Sequence, residues 1–226
     1  MPGEKALLRI SGVSAIVGPI LFFGLLLVKP GTDWKTEPEA FLQMTAESNL
    51  WVGVHIGVIF AGLLNVGGLT GLYRSFAAGA SAAWARLGFA TVLAGTSVLL
   101  VFVGTYGIAF PHVAKGGVNA SEVEKAAAFL VVLAAYEIAQ ALIAVYFMVF
   151  FGVTFVLYGL AVATGTAYPR WLGWLAVVGG VGGMLDGSLR AADVLLSDIS
   201  FSPYLLYLVW VLVMGILMWR KAGTAQ

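Results

Sequence analysis

The chain has no cysteine, which excludes disulfides, thiolate metal sites and a cysteine nucleophile. It is also poor in charge. Only 10% of its 226 residues are Asp, Glu, Lys or Arg, where a soluble domain carries roughly a quarter. So few charges cannot cover a water-facing surface. The net charge of +1 offers nucleic acid no electrostatic footprint. Histidine is scarce as well, with only His55 and His112.

Apolar side chains are what the sequence has: 61% of it is hydrophobic, and the mean hydropathy is +0.97. A helix needs about 20 apolar residues to cross a bilayer. Six segments qualify, at residues 10–28, 52–73, 87–110, 128–160, 171–191 and 203–219. The fold class that follows is all-α: a polytopic membrane bundle of about six transmembrane helices, a single domain over 1–226. The first segment follows Lys5 and Arg9 as a signal peptide would. It is long enough to span, however, and it ends in "VKPGTDW" without a small-residue cleavage pattern, so it reads as a retained helix.

Loop charges set the orientation. Lys5, Arg9, Arg74, Arg86, Arg170, Arg220 and Lys221 fall on one side, with Glu4 as the lone acid there. The other side holds Asp33, Glu37, Glu39, Glu47, Glu122, Glu124 and Asp198. Both termini are therefore expected in the cytoplasm. Trp34, Trp51, Trp84, Trp171 and Trp219 fall at span ends, as an aromatic belt would. On the outer side, "EPEAFLQMTAESNLW" interleaves Phe41, Leu42 and Met44 with acids and predicts a short helix lying on the interface. Ser121 and Glu124 form a capping-box pattern. A helix from there to Ala163 would be about 60 Å long at 1.5 Å per residue, longer than a bilayer is thick. It must project beyond the membrane or bend, with Gly152 as the candidate bend. His112, following Pro111, is expected in a loop.

A shift of about 85 residues aligns "LYRSFAAGASAAWARLGFATVLAG" with "LYGLAVATGTAYPRWLGWLAVVGG". Gly88 and Gly95 meet Gly173 and Gly180. Spans 2–3 and 4–5 thus read as a duplicated hairpin. The charges are not duplicated: Asp186 aligns with Val101, and Arg190 with Thr105.

Charge inside a span costs a few kcal/mol and normally faces the bundle interior. Asp186 lies about 22 Å along the fifth span at 1.5 Å per residue, in the outer part of the hydrocarbon. Arg190 and Asp193 follow at and beyond its edge. Counting along the other spans brings Glu137, Gln140, His55, Tyr106 and His112 to the same outer level. Asp186 and Arg190 are an i,i+4 acid-to-base pair, and one reading makes them a structural ion pair locking the fifth span to the fourth. The other reading is catalytic. Glu137, Asp186 and Asp193 outnumber Arg190, and crowded, desolvated carboxylates keep a proton with which to protonate an olefin, epoxide or carbonyl. The catalytic residues are then Glu137, Asp186 and Arg190, with His55, Tyr106, Tyr136, Gln140 and Asp193 binding a lipophilic substrate, such as a prenylated one. No metal or cofactor is expected. Haem between His55 and His112 is the one cofactor the histidines suggest. Asn65 reads as a helix-to-helix hydrogen-bonding group. A non-enzymatic accessory or scaffold subunit of a membrane complex is the alternative function, followed by a transporter, although no polar track continues below Asn65. A larger complex or oligomer is compatible with either.

The order "EAFLQMTAES", "GLTGLYRSF", "YPRWLGWLAVVGG" and "LLYLVWVLVMGILMWRK" resembles a group of small bacterial six-helix membrane proteins of unknown function. The likeness covers nearly the whole chain and implies a bacterial inner-membrane location but no activity. In size and helicity the chain is also similar to small integral-membrane terpene cyclases, which implies intramembrane carboxylates acting as acids.

Overall fold

The computed structural model describes residues 2–29, 31, 37–118, 120–192 and 202–224. Among these, the chain forms helices α1 (Pro2–Val28), α2 (Pro38–Glu47), α3 (Asn49–Arg74), α4 (Gly79–Phe102), α5 (Phe110–Val118), α6 (Glu122–Tyr146), α7 (Thr154–Thr164), α8 (Arg170–Ala191) and α9 (Ser202–Thr224). Two π-helical segments, Val103–Ala109 and Phe147–Val153, join α4 to α5 and α6 to α7 without a break. Six of the resulting rods are long and apolar enough to cross a membrane, and they contain the six segments expected from the sequence. Large apolar side chains such as Ile20, Leu27, Leu130, Val178 and Leu185 are exposed on the outside of the bundle, where lipid takes the place of a core.

Each span packs on the next in sequence, and α9 closes on α1 and α8. The centre is aromatic. Tyr146, Phe150, Phe151, Phe155 and Tyr158 of the fourth span meet Tyr207 and Trp210 of α9. Three of them bond through their polar ends. Tyr158 donates to the Leu69 carbonyl (2.9 Å), Trp210 to the Leu172 carbonyl (2.8 Å) and Tyr207 to Asn65 Oδ1 (3.1 Å). Asn65 is thus the cross-helix hydrogen-bonding group that its mid-span position predicts.

Local chemistry fixes the ends. Ser48 stops α2 and caps α3 by accepting from the Trp51 N–H (3.2 Å). Ser121 and Glu124 close the capping box that starts α6. Gly79, at φ +73°, turns the chain between α3 and α4 in the left-handed region that glycine tolerates. The fourth rod extends from Glu122 to Thr164. It winds into a π segment that contains Gly152, and its Glu122 end packs into a cap with α2 and α5.

That cap changes two expectations. Its core is Phe41, Trp51, Tyr106, Phe110, Val132 and Tyr136, so α2 buries Phe41 against protein instead of resting it in lipid. Trp51 is 0% exposed and belongs to this core, not to an aromatic belt; Trp171 and Trp219 do remain exposed. His112 lies in α5, not in a loop. The π register explains why Pro111 does not break the helix there. Phe110 N–H bonds to the carbonyl of Thr105, five residues back. In the same register Pro111, which has no N–H, would face the carbonyl of Tyr106. That carbonyl accepts from Trp51 Nε1 instead (3.1 Å).

The glycines aligned by the internal repeat all pack on the fourth span. Gly88 and Gly95 meet Tyr158 and Phe150 from α4, while Gly173 and Gly180 meet the backbone of α7 and the second π segment from α8.

Candidate functional site

A row of glycines on α8 brings that helix onto the fourth span. A Cβ at Gly183 would lie 2.6 Å from the Phe151 carbonyl oxygen, and one at Gly187 2.7 Å from the Met148 nitrogen. Only glycine permits this approach. It carries Asp186 and Arg190 to the second π segment and to the start of α9. Asp186 is 8% exposed and accepts two hydrogen bonds, from Arg190 Nε (2.8 Å) and from the Tyr204 hydroxyl. The Arg190 guanidinium lies over the Phe147 ring, 4.7 Å from its centroid. Asp186 is therefore a fixed anchor: one charge-assisted bond holds the arginine, and the tyrosine satisfies the same carboxylate.

Arg190 is one wall of a cavity of about 220 Å³. Four other elements complete it with side chains at helical spacing: Phe22, Leu26 and Lys29 at the end of α1; Val54, His55 and Val58 on α3; Leu99, Phe102 and Tyr106 on α4 and the first π segment; and Gln140, Ile143 and Phe147 on α6 and the second. Both π segments thus border one cavity. Such segments present side chains that a regular helix would turn away, and they occur frequently at functional sites.

The lining divides by polarity. Lys29, Gln140 and Arg190 are exposed or half-buried, while Phe22, Val54, Val58 and Leu99 are buried. Lys29, Gln140 and Arg190 stand at the mouth beside the exposed Leu26, and the buried apolar side chains form the floor. Two neutral polar groups reach inside. His55 Nδ1 is 2.7 Å from the Trp51 carbonyl, which fixes the tautomer with Nδ1 protonated and leaves Nε2 as an acceptor. Gly107 makes room for this imidazole, since a Cβ there would sit 2.4 Å from His55 Cβ. The Tyr106 ring packs edge-on to His55 and Trp51.

Lys29 lies one residue beyond α1. Its ammonium is 5.2 Å from the Trp51 ring centroid and 5.1 Å from that of Tyr106. Cation–π contacts of this kind contribute about 0.5–2 kcal/mol. Burial lowers its pKa from the ordinary lysine value.

Of the residues singled out in the sequence, the structure brings His55, Tyr106, Gln140 and Arg190 into one lining, with Asp186 directly behind Arg190. Glu137 is exposed and does not line the cavity. Tyr136 is buried in the cap core beside Tyr106 and Phe41. His112 is exposed on α5 and is not among the side chains that line the cavity with His55. Asp193 lies outside the described residues. Sequence reasoning passed over Lys29 and Tyr204. The lysine was legible as the cation closing "LLLVKPG", and the tyrosine as the polar ring opening "YLLYLVW". No protein-family profile, curated protein or solved structure matches the chain.

Proposed function

We propose that this is a multi-pass protein of the bacterial inner membrane, with both termini cytoplasmic, that binds part of a lipophilic molecule in the cavity between its two π segments. The location rests on the sequence resemblance, and the orientation on the seven basic residues that share one side with a single acid, Glu4, while the lysines of the other side are balanced by its acids. The observation that carries the binding reading is the lining: an apolar floor below a polar mouth, assembled from five segments of chain. The volume decides how much of the ligand enters. Pockets that enclose whole small molecules run from about 300 Å³ upward. At about 220 Å³ the cavity suits a headgroup with the adjoining stretch of chain, which favours a binder of amphiphiles over a cyclase that must fold its entire substrate inside.

A second reading, an acid–base enzyme acting on the same molecule, draws on His55. His55, whose Nε2 is left as an acceptor, and Tyr106 both belong to the lining, with the apolar floor to exclude water. In this reading His55 is the proton acceptor, and Asp186 positions Arg190 instead of acting as the acid.

Native mass spectrometry of the gently purified protein tests the proposal. A co-purifying lipophilic mass that is lost in Val58→Trp, which fills the floor, supports it. Protein that carries no such mass and binds no added amphiphile refutes it, and co-purification with a defined protein partner would point to the accessory-subunit role.

A further inference from the structure

Among the described residues, the cavity mouth carries cations and no carboxylate. Lys29 and Arg190 both line it, whereas Asp186 lies behind Arg190 and Glu137 points elsewhere. Asp186 balances Arg190. Lys29 is held by two aromatic faces, and among the described residues no carboxylate pairs with it. Over the described residues the local sum is therefore one positive charge at a half-buried position, where an unbalanced ion is unfavourable.

Resting on the binding reading above, we infer that the ligand is an amphiphile whose head carries a single negative charge shared over oxygens, clamped at the mouth between Lys29 and Arg190 with its chain over the apolar floor. A monoanion brings the site to neutrality. A dianion would leave a negative charge in the membrane, and a neutral head would leave the Lys29 charge as it is. The forked guanidinium, fixed at Nε by Asp186 and stacked on Phe147, suits a planar carboxylate or a phosphodiester. Lys29 adds a compact point charge. Two sources present this chemistry: a free single-chain carboxylic acid and an anionic phospholipid head.

The test uses the full-length protein in non-ionic detergent. A fluorescent polyene fatty acid is titrated beside the alcohol of the same chain. The acid is expected to bind about tenfold or more tightly than the alcohol, the size of one charge-assisted hydrogen bond. Lys29→Gln should bring the acid to the affinity of the alcohol and leave the alcohol unchanged, while Lys29→Arg keeps the preference. Arg190→Gln should act in the same direction. Because that change strands Asp186, Asp186→Asn/Arg190→Gln serves as its folded counterpart. Competition then separates the sources. Displacement by phosphatidylglycerol but not phosphatidylcholine supports the phospholipid head, and displacement by neither, with tight acid binding, supports the free acid. Equal binding of acid and alcohol by the native protein overturns the charge inference and leaves the cavity reading intact. Failure of both to bind overturns both.

Discussion

Trp51 Nε1 donates to the main-chain carbonyl of Tyr106, linking the start of the second span to the π segment of the third. The bond exists because Pro111 supplies no N–H to that carbonyl in the local i→i−5 register. Trp51→Phe keeps the packing but orphans a buried carbonyl, and should destabilise the protein by about 1–3 kcal/mol. Pro111→Ala restores a backbone donor at the right place. The double variant should therefore recover part of the loss in thermal unfolding assays. Additive losses would show that the proline is not the reason for the free carbonyl.

The pH dependence of Lys29 has a definite sign. Burial lowers its pKa, so between that lowered value and the ordinary lysine range the unfolded chain holds more protons than the folded one. Stability of the empty protein then rises with pH across this window, and the rise disappears in Lys29→Gln. Binding of an anion runs the other way, because it needs the ammonium: affinity for the acid should fall as pH rises through the lowered pKa. Among the described residues, the charged and titratable groups that line the cavity with Lys29 are His55, Tyr106 and Arg190, so the Lys29→Gln control is what assigns the transition. Thermal unfolding of the empty protein and titrations of the fatty acid, each at a series of pH values below the ordinary lysine range, check the two signs.

Asp186 and Arg190 act as a unit. Asp186→Ala leaves the guanidinium without its anchor and removes the acceptor of Tyr204. Breaking a fully buried pair costs about 3–5 kcal/mol. With the Arg190 side chain 34% exposed, a loss of about 1–3 kcal/mol is expected here. Replacing both residues by apolar ones of similar volume, Asp186→Leu/Arg190→Met, should restore stability and still abolish the preference for an acid. Recovery of both properties would remove Arg190 from the site.

The bundle was legible because bilayer thickness makes span length a strong constraint, and all six apolar segments survive as helices. The outer polar layer was legible in part for the same reason: rise per residue gives depth, and depth placed His55, Tyr106, Gln140 and Arg190 at one level. Depth does not give azimuth. Glu137 sits three residues from Gln140 and at a similar height, yet it points out of the lining. Its charge made it look catalytic. Lys29 was hidden for the opposite reason, since a lysine just past a span end normally reaches for water. Here it turns back over Trp51 and Tyr106 because the cap formed by α2, α5 and the Glu122 end of α6 places those rings beside it. Nothing in local sequence periodicity announces that cap. The π register likewise comes from tertiary packing, with Pro111 as the only local sign.

The two glycines of the first π segment separate packing from propensity. Gly104 has open space where a Cβ would go, so Gly104→Ala should be neutral or stabilise the protein by up to about 1 kcal/mol, the helix-propensity difference. Gly107 has His55 Cβ only 2.4 Å from the same position, so Gly107→Ala must push α3 away or turn the imidazole out of the cavity. Overpacking of this kind costs about 1–3 kcal/mol. It should also weaken binding of both the acid and the alcohol, because it deforms the lining without touching either cation. A Gly107→Ala protein that is less stable yet binds both probes normally would mean that the imidazole is no part of the pocket. Loss of acid binding alone would mean that the glycine acts through Lys29.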